Sequence, residues 1–160
     1  MNKVSLRPMT AAAFEKFAAW SVASYAQSLI ESGMETESAA DDTAWKEFRE
    51  AFPEGVDSAH IHCFTIQNEK EPVGVICYEA NAQQNRGFIL EFVIAQTQRR
   101  KGYGKAALIA VLEDAKAKGL EIMGLNVFHH NREAMGLYEA CGFRSVRIFE
   151  GNSILECNIV

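Results

Sequence analysis

An α/β fold in one domain, residues 1–160, with a sheet of about seven strands flanked by about four helices, is what the sequence predicts. Three observations carry that expectation. Short apolar or alternating runs, suited to strands, alternate with longer segments whose apolar residues recur every three or four positions, as on a helix with one buried face. No internal repeat, low-complexity tract or linker divides the chain. Its composition, 48% hydrophobic and 23% charged over 160 residues, is that of a globular protein large enough to bury a core.

The elements follow in order. Residues 4–7 alternate before Pro8 and read as a short strand. Thr10 suits the N-cap of a helix whose apolar residues run Phe14, Phe17, Ala18, Val22, Tyr25 and Leu29, ending near Gly33. Residues 35–52 form a second helix, with Ala40, Ala44, Trp45 and Phe48 at helical spacing and Pro53 as its stop. Trp20, Tyr25, Trp45 and Phe48 are expected in the core. Residues 61–66 and 73–78 make a hairpin through the polar turn 67–71, and a second turn, 81–85, leads into a strand at 88–95. A third helix over 106–118 buries Ala107, Leu108, Val111, Leu112 and Ala115, with Gly119 at its C-cap. A strand at 121–128, a helix from the cap Asn131 through Ala140, and strands at 143–149 and 154–160 complete the chain.

Charge and cysteine usage narrow the function classes. A net charge of −5 and a pI near 5.4 argue against a general binder of nucleic acid or anionic membrane. No apolar run approaches membrane-spanning length, and the N-terminus lacks a signal-peptide core. Cys63, Cys77, Cys141 and Cys157 are widely spaced without a C-x-x-C pair, so they are expected as reduced core thiols in a cytoplasmic protein. His60 and His62 alternate on one strand face, but no Asp or Cys completes a ligand spacing, and no metal is expected.

Against the acidic background, Arg99-Arg100-Lys101-Gly102-Tyr103-Gly104-Lys105 stands between a strand and a helix. Two glycines one residue apart permit a tight turn and close approach of backbone to a ligand. Unpaired N–H groups at the following helix start and the flanking cations would suit a phosphate. The stretch is not a nucleoside-triphosphate loop, because Ala106 follows Lys105 where Ser or Thr is required. Gly102 to Ala107 does satisfy the dinucleotide pattern G-x-G-x-x-A, although the polar residues 96–101 separate it from the strand. A plain turn with solvated cations is the third reading.

A second motif lies one strand beyond: Asn131-Arg132-Glu133-Ala134-Met135-Gly136-Leu137-Tyr138-Glu139-Ala140-Cys141-Gly142-Phe143. Together the two resemble the GNAT superfamily of acyl-CoA-dependent N-acetyltransferases. Arg99, Gly102 and Gly104 match its phosphate motif [Q/R]-x-x-G-x-[G/A], and Asn131, Ala134, Leu137, Tyr138, Gly142 and Phe143 match N-x-x-A-x-x-L-Y-x-x-x-G-F. The resemblance covers about residues 86–146. It implies a mixed, twisted sheet splayed at the cofactor site, with acetyl-CoA as acyl donor and a primary amine as acceptor. Backbone N–H groups of Arg100, Lys101, Gly102, Tyr103, Gly104 and Lys105 would wrap the pyrophosphate. Pantetheine would lie along Phe92, Val93 and Ile94 like an added strand, with the Phe92 N–H donating to the thioester oxygen. Asn131 would reach pantetheine, and Tyr138 would protonate the leaving thiolate.

The base is open. Some relatives carry a Glu five residues before the motif Asn; here that residue is Asn126, whose amide takes no proton at neutral pH. Glu91 is the leading substitute, with Glu79, His129 and His130 as others. Neighbouring strand residues point to opposite faces, so Glu91 and Phe92 serve one reaction only if the strand is twisted or bulged there. A catalytically silent acyl-CoA-binding sensor and a dinucleotide-binding protein remain as alternatives. Dimerisation through a sheet edge or the last strands is compatible with such a fold.

Overall fold

The computed structural model describes residues 4–159. Its elements are β1 (Ser5–Pro8), α1 (Ala11–Glu31), α2 (Glu37–Ala51), β2 (Ile61–Gln67), β3 (Pro72–Asn81), β4 (Arg86–Ile94), α3 (Tyr103–Ala117), β5 (Ile122–Phe128), α4 (Arg132–Ala140), β6 (Arg144–Ile148) and β7 (Asn152–Asn158), with short 3₁₀ turns at Gly55–Asp57 and Gln96–Gln98. The chain forms two compact units, one holding the strands with α3 and α4, the other spanning Met9–Ala59.

In the sheet unit seven strands lie in the order β1-β2-β3-β4-β5-β7-β6. Every neighbouring pair is antiparallel except β4 and β5. A parallel pair needs a long crossover, and α3 lies on the one joining β4 to β5. Ala107, Leu108, Val111 and Ala115 of α3 are buried in a core with Ile66, Ile76 and Leu125 of the sheet. The Tyr78 hydroxyl donates to Asp114 Oδ2 at 2.6 Å, joining β3 to the same helix.

Two irregularities shape β4. Its pairing with β5 runs only from Arg86↔Ile122 to Ile89↔Leu125, while β4 continues to Ile94 and β5 to Phe128. Beyond Ile89 the two strands therefore part. Against β3, the register moves from Tyr78↔Ile89 to Cys77↔Glu91, which leaves Leu90 as a bulge. The bulge resets the alternation. Ile89 and Phe92 belong to the core that holds α3, whereas Glu91 shares the opposite sheet face with its partner Cys77.

In the helical unit Thr10 caps α1, its hydroxyl accepting from the Ala13 N–H at 3.1 Å. Ala40 and Ala44 of α2 cluster with Val22, Ala26 and Leu29 of α1. Phe14, Phe17, Phe48 and Phe52 form an aromatic group with ring centroids 4.7 to 6.0 Å apart. Trp20 and Tyr25, expected in the core, are instead 46% and 41% exposed. Trp20 lies two positions from both Ala18 and Val22, which puts it on the far side of a helix whose buried stripe passes through those two.

The remaining differences concern boundaries. α3 starts at Tyr103 rather than 106, because Gly102, at φ 84°, already supplies the left-handed break that ends the loop. β7 starts at Asn152 rather than 154, since polar Asn152 and Ser153 pair with Phe128 and Val127. All four cysteines are free thiols, three of them buried and Cys141 half-buried.

Candidate functional site

The part of β4 beyond its last pairing with β5 borders a cleft of about 370 Å³. The sequence places three kinds of wall around it. One is the tail of β4, Phe92, Val93 and Ile94. The second is the start of α3 with its preceding loop, Gln98, Arg99, Arg100, Gly102, Tyr103, Gly104 and Lys105. The third is one face of α4, where Asn131, Ala134, Leu137 and Tyr138 recur at helical spacing.

Hydrogen-bond parity tells which β4 backbone groups face this cleft. The Ala95 N–H donates to the Val73 carbonyl at 2.8 Å, so Ala95, Val93 and Glu91 direct their backbone polar groups toward β3. Phe92 and Ile94 direct theirs to the side where β5 has left. The Ile94 carbonyl there accepts from Arg99 Nε at 2.9 Å. A strand edge with outward N–H groups, beside an open cleft, is complementary to an extended ligand bearing amides.

At the other end, the N–H groups of Tyr103, Gly104 and Lys105 precede the first i→i−4 bond of α3, made by Ala106 to the Gly102 carbonyl at 3.2 Å. They carry the positive end of the helix dipole. The side chains of Arg99, Arg100 and Lys105 add cationic charge against the single carboxylate of Glu133. Gly104 keeps the floor open. A Cβ there would stand 3.4 Å from Leu137, 3.8 Å from Ile94 and 3.9 Å from Phe92, where all three walls meet.

The two further motif residues differ in setting. Asn131 is exposed and caps α4, its Oδ1 accepting from the Ala134 N–H at 3.3 Å. Tyr138 is buried between Phe92 and Phe143, with ring centroids 6.3 and 5.7 Å away. Burial, and secondarily the charge of Glu91, push its phenol up to about 12.

Of the eleven residues expected to bind the cofactor and the leading acid and base, Tyr138 and Glu91, eleven line this one cleft: Phe92, Val93, Ile94, Arg99, Arg100, Gly102, Tyr103, Gly104, Lys105, Asn131 and Tyr138. Lys101 and Glu91 do not. Lys101 turns its ammonium to Gln98 Oε1 at 3.2 Å, and the bulge at Leu90 carries Glu91 to the opposite sheet face. The other candidate bases are also away from the cleft lining. His129 Nε2 is 2.7 Å from the Ser153 hydroxyl, and His130 stacks on Phe128. Asn126 accepts from Asn152 Nδ2 at 2.6 Å, and Glu79 is exposed on β3. His62 packs against Tyr78, and among the described residues no group of three His, Cys, Asp or Glu side chains is arranged to hold a metal.

Sequence reasoning missed Gln98 and Glu133 as cleft residues. It also missed the turn that braces the loop. Glu71 accepts from Gln98 Nε2 at 2.5 Å, and Asn68 Nδ2 donates to the Tyr103 hydroxyl at 3.1 Å. The only signal for either was a polar β-turn.

Comparison with known proteins agrees with this geometry. The sequence profile described as the Acetyltransferase (GNAT) family matches residues 22–143. The chain is 30% identical over 148 residues to the uncharacterized N-acetyltransferase YycN of Bacillus subtilis strain 168, covering 91% of this chain and 95% of that one. It is 32% identical over 147 residues to the uncharacterized N-acetyltransferase YdgE of the same organism, covering 90% and 94%. The crystal structure of YycN superposes with a TM-score of 0.86 at 29% identity, over 93% of this chain and 97% of YycN. The PaiA N-acetyltransferase of Thermoplasma acidophilum, crystallised with coenzyme A, shares the fold at a TM-score of 0.70 and 17% identity, over 98% and 99% of the two chains.

Proposed function

The chain belongs to the GNAT acetyltransferase family and is an acyltransferase, and from that premise we propose that it moves the acetyl group of acetyl-CoA directly to a primary amine. The observation that carries the proposal is the continuous donor surface along the cleft, from the Phe92 and Ile94 edge of β4 to the start of α3. The order of its donors suits pantetheine followed by pyrophosphate. A doubly wound dinucleotide fold does not fit, because a single strand pair here is parallel and a 3₁₀ turn separates the strand from the glycines.

Acetyl-CoA supplies an activated thioester. In the proposed roles, the N–H groups of Tyr103, Gly104 and Lys105 hold its pyrophosphate, and Arg100 and Lys105 add charge. Asn131 Nδ2 donates to pantetheine. The Phe92 N–H donates to the thioester oxygen as that oxygen gains negative charge, an effect worth about 3 kcal/mol for one preorganised donor.

Tyr138 keeps its proton through neutral pH, since burial pushes its phenol up to about 12. A phenol that weakly acidic serves the departing sulfur first as a hydrogen-bond donor, completing the transfer as charge accumulates on sulfur. Glu91, through a water, takes the proton from the amine, so the proton lost by nitrogen balances the one gained by sulfur. No helix among the described residues is long and apolar enough to cross a membrane, and four free thiols suit the reducing cytoplasm in which we place the protein.

Release of free thiol from acetyl-CoA over a panel of primary amines tests this reading. The wild type should turn over at least one amine. Tyr138→Phe should lower kcat by roughly ten- to a thousandfold with unchanged coenzyme A affinity. Tight acetyl-CoA binding with no turnover on any amine would turn the reading toward a silent acyl-CoA sensor.

A further inference from the structure

The β2–β3 turn meets two cleft residues, Gln98 through Glu71 and Tyr103 through Asn68. Asn68 Oδ1 accepts from the backbone N–H groups of Lys70 at 2.8 Å and Glu71 at 2.7 Å, closing an Asx turn at the hairpin tip. Those two bonds determine which way the amide faces, because only an oxygen accepts them. The other end of the amide is therefore nitrogen, and Nδ2 donates to the Tyr103 hydroxyl 3.1 Å away. A hydroxyl that accepts at that position cannot send its own proton back along the same line. Its O–H must point elsewhere.

Tyr103 is the first residue of α3, and its ring packs against the core while the residue lines the cleft beside Arg99, Arg100 and Lys105. We propose that the Tyr103 hydroxyl is a directed donor to a phosphate oxygen at the nucleotide end of coenzyme A, and that Asn68 is the positioning residue that aims it. The proposal rests on the acyl-CoA reading above and adds to it a side-chain contact where the motif itself specifies only backbone. The chemistry fits. A phosphate oxygen accepts without donating, and the neighbouring cations already bias this end of the cleft toward an anion. Coenzyme A offers two such groups, its pyrophosphate and its 3′-phosphate.

Titration calorimetry with coenzyme A and with 3′-dephospho-coenzyme A tests both parts. Tyr103→Phe retains the ring and removes the donor, and should weaken coenzyme A binding about 10- to 100-fold, the range for a hydrogen bond to a charged group. A penalty that persists with the dephospho compound assigns the pyrophosphate; one that vanishes assigns the 3′-phosphate. Asn68→Asp keeps the turn acceptor but replaces Nδ2 with an oxygen, which would draw the tyrosine proton to itself. Its affinity should fall to about that of Tyr103→Phe, and the double variant should lose little more than either single one. Thermal unfolding checks that each variant remains folded.

Unchanged affinity in folded Tyr103→Phe would overturn the contact. Full affinity in Asn68→Asp, or losses that multiply in the double variant, would overturn the aiming role and leave only charge or turn effects. Tight binding of coenzyme A by the wild type separates these outcomes from failure of the acyl-CoA reading, which would take this inference with it.

Discussion

Tyr138 and Glu91 are coupled across the end of β4, since the carboxylate's charge is felt at the phenol. Their side chains nevertheless leave the strand region from different faces, and the Leu90 bulge is what allows this. With regular alternation Glu91 would share the face of Ile89 and enter the core; the extra residue sends it to the other side and returns Phe92 to the core beside Tyr138. On the proposed mechanism, acid and base then act from opposite sides of the thioester. Glu91→Gln should depress kcat/KM and remove the acidic limb of its pH profile, because the group that must lose a proton there is gone. Coenzyme A affinity should hold. A limb that survives in Glu91→Gln and moves only on substitution of His129 or His130 would transfer the role of base to the histidines.

The start of α3 serves both the packing of an element and the shape of a site. Gly104 lies inside the helix, where glycine costs up to about 1 kcal/mol relative to alanine, so its presence asks for a reason. The 3.4 to 3.9 Å spacing from its would-be Cβ to Leu137, Ile94 and Phe92 supplies one: any side chain enters the junction of the cleft's three walls. Stability and binding should therefore move in opposite directions. Gly104→Ala should keep or raise the melting temperature while weakening coenzyme A binding, and Gly104→Val should weaken it at least tenfold in a folded protein. Wild-type affinity in Gly104→Val, by calorimetry, would remove the cradle from the reading.

At this same scale the sequence was informative where chemistry is local. Asn131 caps α4 as its type and position imply, and the stripe from Ala107 to Ala115 meets the sheet as its spacing implies. The splay between β4 and β5, the Leu90 bulge and the bond from Asn68 to Tyr103 are different in kind. Each depends on register or on residues 35 positions apart, and neither leaves a periodic trace in one sequence. Gly102 and Gly104 looked like equal members of a loop, yet only Gly102 needs a positive φ, while Gly104 is helical and needed for space.

Over the whole molecule, a net charge of −5 coexists with three cations around the cleft, so the anionic ligand proposed here meets attraction mainly at its site. Global stability responds to pH through buried phenols. Tyr78 has no exposed surface, and burial first, then its bond to Asp114, push its phenol far above the ordinary value of 10; Tyr138 is pushed to about 12. A raised phenol pKa means that the folded state keeps its proton after the unfolded chain has begun to lose one. The stabilisation is therefore complete below pH 10 and is lost as pH climbs toward the folded value, at about 1.4 kcal/mol per pH unit for each such group. Tyr78→Phe removes one of them. It should cost about 1–3 kcal/mol at pH 8 through the lost bond to a carboxylate. Its stability should then fall less steeply than the wild type's between pH 10 and 12, so that the gap between the two narrows. Urea unfolding at pH 8, 10 and 11 measures that gap. A gap that stays constant across the series would mean that the Tyr78 phenol titrates alike in the folded and unfolded chains, and that its bond to Asp114 does not hold the proton.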